Sequence, residues 1–195
     1  MTFRKIINGL VFHEDGSFTP DTVYICGEKI VSQEVYEKEC STASGNEMVT
    51  DAAGNYVIPG LTDIHFHGCM GSDCCDGTVE AFQTIARYEL SQGITSITPA
   101  TMTMSEEVLS QICRAAKTYC DTAEENAADF CGLYMEGPFI NAAKKGAQNE
   151  KYITPADTAM LNRLQDLSGN MLRTVAIAPE TAGAMDFIRE NNSRV

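Results

Sequence analysis

The spacing of apolar residues changes near Val57, and the change divides the chain into two kinds of structure. Upstream, apolar residues fall in short β-branched runs broken by turns. Residues 3–12 predict a strand, Glu14-Asp-Gly-Ser17 a turn, and residues 22–26 and 29–32 flank Gly27-Glu28 as the arms of a hairpin. Residues 38–47 are polar and small and predict a loop, and residues 48–56 lead into the next strand. A small β-domain over residues 1–56 is expected.

From residue 57 onward, strand-like runs alternate with stretches of helical spacing. Residues 57–67 predict a strand. Residues 78–92 predict a helix with Phe82, Ile85, Ala86 and Leu90 on one face, ended by Gly93. A strand follows over 94–100, then a helix capped by Ser105 and running to about Ala123, with acids in its first turn. Residues 130–136 predict a third strand and 172–178 a fourth. Between them, 155–167 predict a helix capped by Thr154 with Pro155 at its first position, and 183–191 open a further helix. Alternating β and α elements imply a parallel sheet with helical crossovers, an α/β fold. Polar residues gather at the C-terminal ends of these strands: His65 and His67, Thr98 and Thr101, Glu136, and Pro179-Glu180. In (β/α)8 barrels that end carries the active site.

Two of the chain's three histidines, His65 and His67, stand two residues apart at the end of the first of these strands. In a strand, side chains at i and i+2 share a face, so both imidazoles converge on one point, as a metal site requires. Asp63 falls on that face one step earlier. Histidines hydrogen-bonded in a core are the competing reading; Pro59-Gly60 before the pair and Gly68 after it favour metal. Glu136 closes an apolar strand just before Gly137-Pro138. A carboxylate beside imidazoles suits zinc, iron(II) and related ions, which make hydroxide available near neutral pH and polarise a carbonyl. A capping or salt-bridged glutamate is the alternative, and spacing alone leaves both open.

Other candidates are weaker. Lys144 and Lys145 form a cationic loop fit for an anionic substrate, or are simply solvated. Cys69, Cys74 and Cys75 lie near the histidines, but they lack the paired Cys-x-x-Cys spacing of a structural zinc knot and read better as small packed residues. Met102, Met104 and Met135 read as packing, and His13 as a surface residue. Lys and Arg total 14 against 27 for Asp and Glu, a formal charge of −13, which argues against nucleic acid or an anionic membrane as partner. No signal peptide or transmembrane-length run is evident, so a cytoplasmic protein with free thiols is expected. P-loop, dinucleotide-binding and Gly-x-Ser-x-Gly motifs are absent from the sequence.

Taken together, the motifs resemble a known family. Pro59-Gly-Leu-Thr-Asp-Ile-His-Phe-His-Gly68 resembles the first-strand signature of the amidohydrolase superfamily. Leu133-Tyr-Met-Glu-Gly-Pro-Phe-Ile-Asn141, Lys144-Lys-Gly-Ala147 and Ala178-Pro-Glu180 are similar to the N-acetylglucosamine-6-phosphate deacetylases within it. The resemblance implies a metal-dependent (β/α)8 barrel preceded by strands of a small β-sandwich domain, with residues 57–195 as its first four βα units. It implies hydrolysis of the acetamide of N-acetylglucosamine 6-phosphate to glucosamine 6-phosphate and acetate, and a homodimer when full length. By position, Glu136 matches the family's metal-binding glutamate. His65 and His67 match a first-strand pair that holds a second or alternative ion in the members that keep it. Ala147 and Gln148 match a substrate-contacting dipeptide. The implied ion is divalent, zinc first, with iron, manganese or cobalt as alternatives.

The chain departs from that pattern in three places. Gln148 stands where the family usually carries a histidine that polarises the scissile carbonyl; a glutamine donates a hydrogen bond there but transfers no proton. Tyr134 replaces a common histidine. The 195 residues fall short of the roughly 250 of a full barrel. The resemblance therefore places the catalytic aspartate beyond Val195, leaves no catalytic residue in this chain, and implies an N-terminal portion inactive alone. Two other readings stay open: an amidohydrolase acting on a different N-acyl sugar or cyclic amide, and a non-catalytic half-barrel binding metal or ligand.

Overall fold

The computed structural model describes residues 2–42, 46–122 and 125–195. The chain divides into two compact units, Met1–Pro59 and Gly60–Val195.

The first unit is a five-stranded mixed sheet with one helix. Strands β1 (Phe3–Phe12), β2 (Phe18–Cys26) and β3 (Lys29–Val31) run antiparallel as successive hairpins, while β4 (Glu47–Asp51) and β5 (Tyr56–Val57) pair parallel to β1. The predicted loop over 38–47 is half helix. Helix α1 (Gln33–Thr42) occupies its start, and residues 43–45 lie outside the described residues. It escapes a search for apolar periodicity because only Tyr36 is buried on it. That one ring packs edge-on against Phe3 at 5.8 Å and donates its hydroxyl hydrogen to Glu47 at 2.9 Å, which fixes the helix on the sheet.

The second unit alternates strand and helix. Its elements are β6 (Leu61–Asp63), a short hairpin of β7 (Gly68–Cys69) and β8 (Ser72–Asp73), α2 (Val79–Ser91), β9 (Ile94–Ile97) and α3 (Glu106–Asp121). These are followed by β10 (Asp129–Phe130), β11 (Leu133–Glu136), α4 (Thr158–Ser168), β12 (Leu172–Ala176) and α5 (Ala184–Asn191). All pairings among β6, β9, β10, β11 and β12 are parallel. A parallel bridge between Ala100 and Tyr134 carries the sheet from the first three-stranded part to β11 and β12. The segments therefore lie side by side in chain order, and no barrel is closed among the described residues.

Helical faces supply the core: Phe82, Ile85 and Ala86 from α2, Leu109, Ile112 and Ala116 from α3, and Leu161 and Leu164 from α4, all at most 1% exposed. Ser105 caps α3 by accepting from the Val108 amide, as its position predicts. The expected end near Ala123 lies outside the described residues; the helix itself stops at Asp121. Helix α4 starts later than expected. Asp157, not Thr154, caps it, because a carboxylate accepts from two amides at once, those of Ala159 and Met160. The predicted strand over 130–136 is interrupted at Gly132, whose φ of 150° breaks it into β10 and β11.

Candidate metal centre

Residues 57–67 do not form one strand. Tyr56–Val57 pairs with β1, Pro59 supplies no amide hydrogen, and β6 ends at Asp63. His65 and His67 therefore lie just past the strand, at its C-terminal tip. The chain stays alongside its neighbour all the same, because the Ala100 amide donates to the Phe66 carbonyl at 2.7 Å. Asp63 does not join the histidines as its spacing suggested. Its Oδ1 accepts from the His65 amide at 3.1 Å, a local turn that bends the chain out of the strand.

The two imidazoles nevertheless meet. Their ring centroids are 5.4 Å apart at an interplanar angle of 82°. Both Nε2 atoms approach the same oxygen, Glu136 Oε2, at 3.4 Å from His65 and 3.2 Å from His67. Glu136 ends β11, where Leu133 and Met135 point into the core and Tyr134 and Glu136 share the other face. Tyr134 packs edge-on against His65, with centroids 4.5 Å apart. The potential ligand atoms of the three residues all lie within 4.8 Å of one another, the one such group among the described residues.

The donor chemistry fits a divalent ion. His67 Nδ1 lies 3.1 Å from the Ala100 carbonyl oxygen, which only accepts, so Nδ1 carries the hydrogen. In the neutral ring Nε2 then presents a lone pair toward Glu136, the tautomer that metal-bound histidines adopt. Glu136 Oε2 is buried and has no hydrogen-bond partner. A carboxylate oxygen facing two imidazole nitrogens without a hydrogen bond is costly unless a ring is protonated or a metal cation lies between them. Two nitrogens and one carboxylate form a donor set suited to zinc and neighbouring ions.

The other candidates resolve differently. Burial pushes the Cys75 thiol up to about 11 and the Cys69 thiol likewise to about 11, and Cys75 Sγ accepts from the Met102 amide, so these groups are packed thiols. Met135 is fully buried in the core, and His13 Nε2 lies 2.8 Å from the Thr19 hydroxyl in the first unit. Lys145 Nζ donates to the Gln148 carbonyl at 3.2 Å, and Lys144 is exposed. Ala147 is exposed, whereas Gln148 is 5% exposed with its Oε1 accepting from the Thr103 amide at 2.7 Å. Asn141 donates to Glu180, which holds that carboxyl below its usual range and ties together the loops after β11 and β12. Thr98 and Thr101 are buried; their amides donate to Asp63 and Tyr134 carbonyls.

Two contributors escaped the sequence. Ala100 acts only through its backbone, its amide on Phe66 and its carbonyl on His67, which no side-chain pattern betrays. Thr103 Oγ1 donates to the Glu136 carbonyl at 3.1 Å; its signal was the run of threonines at 98, 101 and 103 after an apolar strand.

The chain is 33% identical over 134 residues to the N-acetylglucosamine-6-phosphate deacetylase of Vibrio furnissii, covering 68% of this chain and 33% of that protein. It is 32% identical over 152 residues to the N-acetylgalactosamine-6-phosphate deacetylase of Escherichia coli O157:H7, covering 75% of this chain and 40% of the relative. The chain is a homologue of these deacetylases. The crystal structure of N-acetylglucosamine-6-phosphate deacetylase from Pasteurella multocida matches its fold with a TM-score of 0.80 at 22% identity, covering 98% of this chain and 48% of that one. No family model matches the sequence. The homologue thus spans between a third and a half of the length of these proteins.

Proposed function

We propose that this chain is part of a metal-dependent deacetylase that hydrolyses the acetamide of N-acetylglucosamine 6-phosphate, giving glucosamine 6-phosphate and acetate. The observation that carries the reading is the buried, unpartnered Glu136 Oε2 set between two imidazole nitrogens. His65, His67 and Glu136 hold a divalent ion in this reading, zinc first, with iron, manganese or cobalt as alternatives. When bound, such an ion supplies Lewis acidity for amide hydrolysis near neutral pH.

The protein's own groups prepare the site. Ala100 fixes the His67 tautomer, Tyr134 backs the His65 ring, and Thr103 holds the Glu136 carbonyl. The loop over 144–148 faces the substrate, with Ala147 exposed and Gln148 seated beneath it. No carboxylate besides Glu136 joins the cluster among the described residues. We therefore assign no general base and expect little turnover from these residues alone. The second unit belongs to a (β/α)8 barrel and the first to a small β-sandwich domain. Eight free thiols suit a reducing, cytoplasmic compartment.

The relative that acts on N-acetylgalactosamine 6-phosphate motivates a second substrate, the epimeric sugar phosphate. Calorimetric titration with zinc, followed by ligand-detected NMR with both sugar phosphates, tests the proposal. One tightly bound ion per chain, lost in Glu136→Ala, is expected, with preference for the glucosamine epimer. Absence of stoichiometric metal uptake sinks the metal reading, and preference for the galactosamine epimer transfers the assignment to that substrate.

A further inference from the structure

We infer that Gln148 is a positioning residue of the metal centre, acting through Thr103 on Glu136. The inference rests on the assignment of His65, His67 and Glu136 as metal ligands. Gln148 is only 5% exposed, and the hydrogen-bonding atoms of its side chain are already engaged. Oε1 accepts from the Thr103 amide at 2.7 Å, and Nε2 faces Met102 Sδ at 3.6 Å. Thr103 is itself 1% exposed, and its hydroxyl donates to the Glu136 carbonyl at 3.1 Å. Thr103 can lie so close to the turn after Glu136 because residue 137 is glycine; a Cβ there would collide with the Thr103 hydroxyl.

The chain of contacts runs from the loop after β11, through the loop after β9, and back to the tip of β11. An apolar side chain at 148 would leave the buried Thr103 amide unpaired, a cost met most easily by moving the 102–104 segment. Movement there withdraws the hydroxyl from Glu136 and frees the strand tip that aims the carboxylate. Partners that orient metal ligands from outside typically change affinity by about 10–100-fold, so the effect is expected in binding of the ion itself.

The test is titration of the purified 195-residue chain with cobalt(II), read by its visible absorption bands, with circular dichroism as the check on folding. Gln148→Leu and Thr103→Val are each expected to weaken cobalt binding about tenfold and to shift the bands. Gln148→Glu, which keeps an acceptor for the Thr103 amide, and Thr103→Ser, which keeps the hydroxyl, are expected to restore both. The double variant Gln148→Leu/Thr103→Val is expected to bind no more weakly than the weaker single variant, because both changes break one path. Wild-type affinity and spectrum in folded Gln148→Leu overturn the inference, as do multiplying losses in the double variant. If Gln148→Leu does not fold, the Thr103→Val and Thr103→Ser pair decides it, and unchanged binding in Thr103→Val overturns it. A wild-type chain that takes up no cobalt overturns the metal assignment, and this inference with it.

Discussion

His67 Nδ1 donates to the carbonyl oxygen of Ala100, 33 residues away, across 3.1 Å. The bond joins the tip of β6 to the extension of β9, and by fixing the tautomer it turns the Nε2 lone pair toward Glu136 Oε2. A ring held in this way loses little freedom when it ligates an ion. His65 has a looser setting: its side chain is 41% exposed and rests on the edge of Tyr134.

The three proposed ligands should accordingly contribute unequally. Glu136→Ala and His67→Ala are expected to abolish tight zinc binding, while His65→Ala weakens it by about tenfold, no more than losing a partner that only orients the ligands. Calorimetry on the three variants gives the ranking. Tight binding that survives Glu136→Ala would show that the ion is held without Glu136 and would remove this carboxylate from the ligand set.

A pH effect is expected from the fork between Arg163 and Glu106, with nitrogen to oxygen distances of 2.6 and 3.1 Å. The guanidinium hydrogen bond holds the Glu106 carboxyl below its usual range. A depressed folded-state pKa gives stability that is present above the unfolded value, near 4.3, and is lost as pH falls through the folded value. Both side chains are about half exposed, so solvent screening keeps the contribution small. Urea melts between pH 7 and 3 should show a shallower acid loss in Glu106→Gln than in the wild type. Parallel curves for the two proteins would remove the pair from the acid limb.

Much of the fold was legible because it rests on local signals. The helix over 78–92 was readable from its apolar face and Gly93, and the start of α3 from Ser105. The helix at Gln33–Thr42 was not, since one aromatic contact, Tyr36 on Phe3, does the work that a whole apolar stripe does elsewhere. His65, His67 and Glu136 stand out as candidates because imidazole and carboxylate at strand tips are chemically conspicuous, and the structure brings the three together. Their arrangement does not come from strand geometry. The same-face rule assumed a strand through residue 67, while the chain leaves the ladder at Asp63 and the histidines converge through contacts with Ala100 and Tyr134. Contacts made by backbone carbonyls and by residues far apart in the chain leave no mark on a single sequence.

Gln165 illustrates such a contact in the scaffold. It is 3% exposed, its Nε2 donates to the Leu172 carbonyl at 2.8 Å, and its Oε1 accepts from the Leu172 amide at 3.3 Å. One carboxamide thus serves both backbone groups at the start of β12. Gln165→Leu leaves those groups buried without these partners, for an expected loss of about 1–3 kcal/mol. Chemical denaturation monitored by far-ultraviolet circular dichroism measures it. A loss below about 0.5 kcal/mol, the range of ordinary surface substitutions, would mean that water or neighbouring groups replace both bonds.

Gly137 couples scaffold and site most directly. Its φ of 78° lies in the left-handed region, and a Cβ there would run into the Thr103 hydroxyl, the same group that holds the Glu136 carbonyl. Gly137→Ala therefore imposes backbone strain and steric conflict together, at an expected cost of about 2 kcal/mol in stability. Because the conflict falls on Thr103, the substitution should also displace Glu136 and weaken zinc binding, whereas Gly183→Ala is the matched control. Gly183 has a similar φ of 79°, open space around its Cβ position and no contact with the cluster, so it should lose stability without losing the ion. Thermal unfolding and zinc titration of the two variants separate the effects. Equal zinc affinity in both would show that the turn after Glu136 can deform without moving the carboxylate.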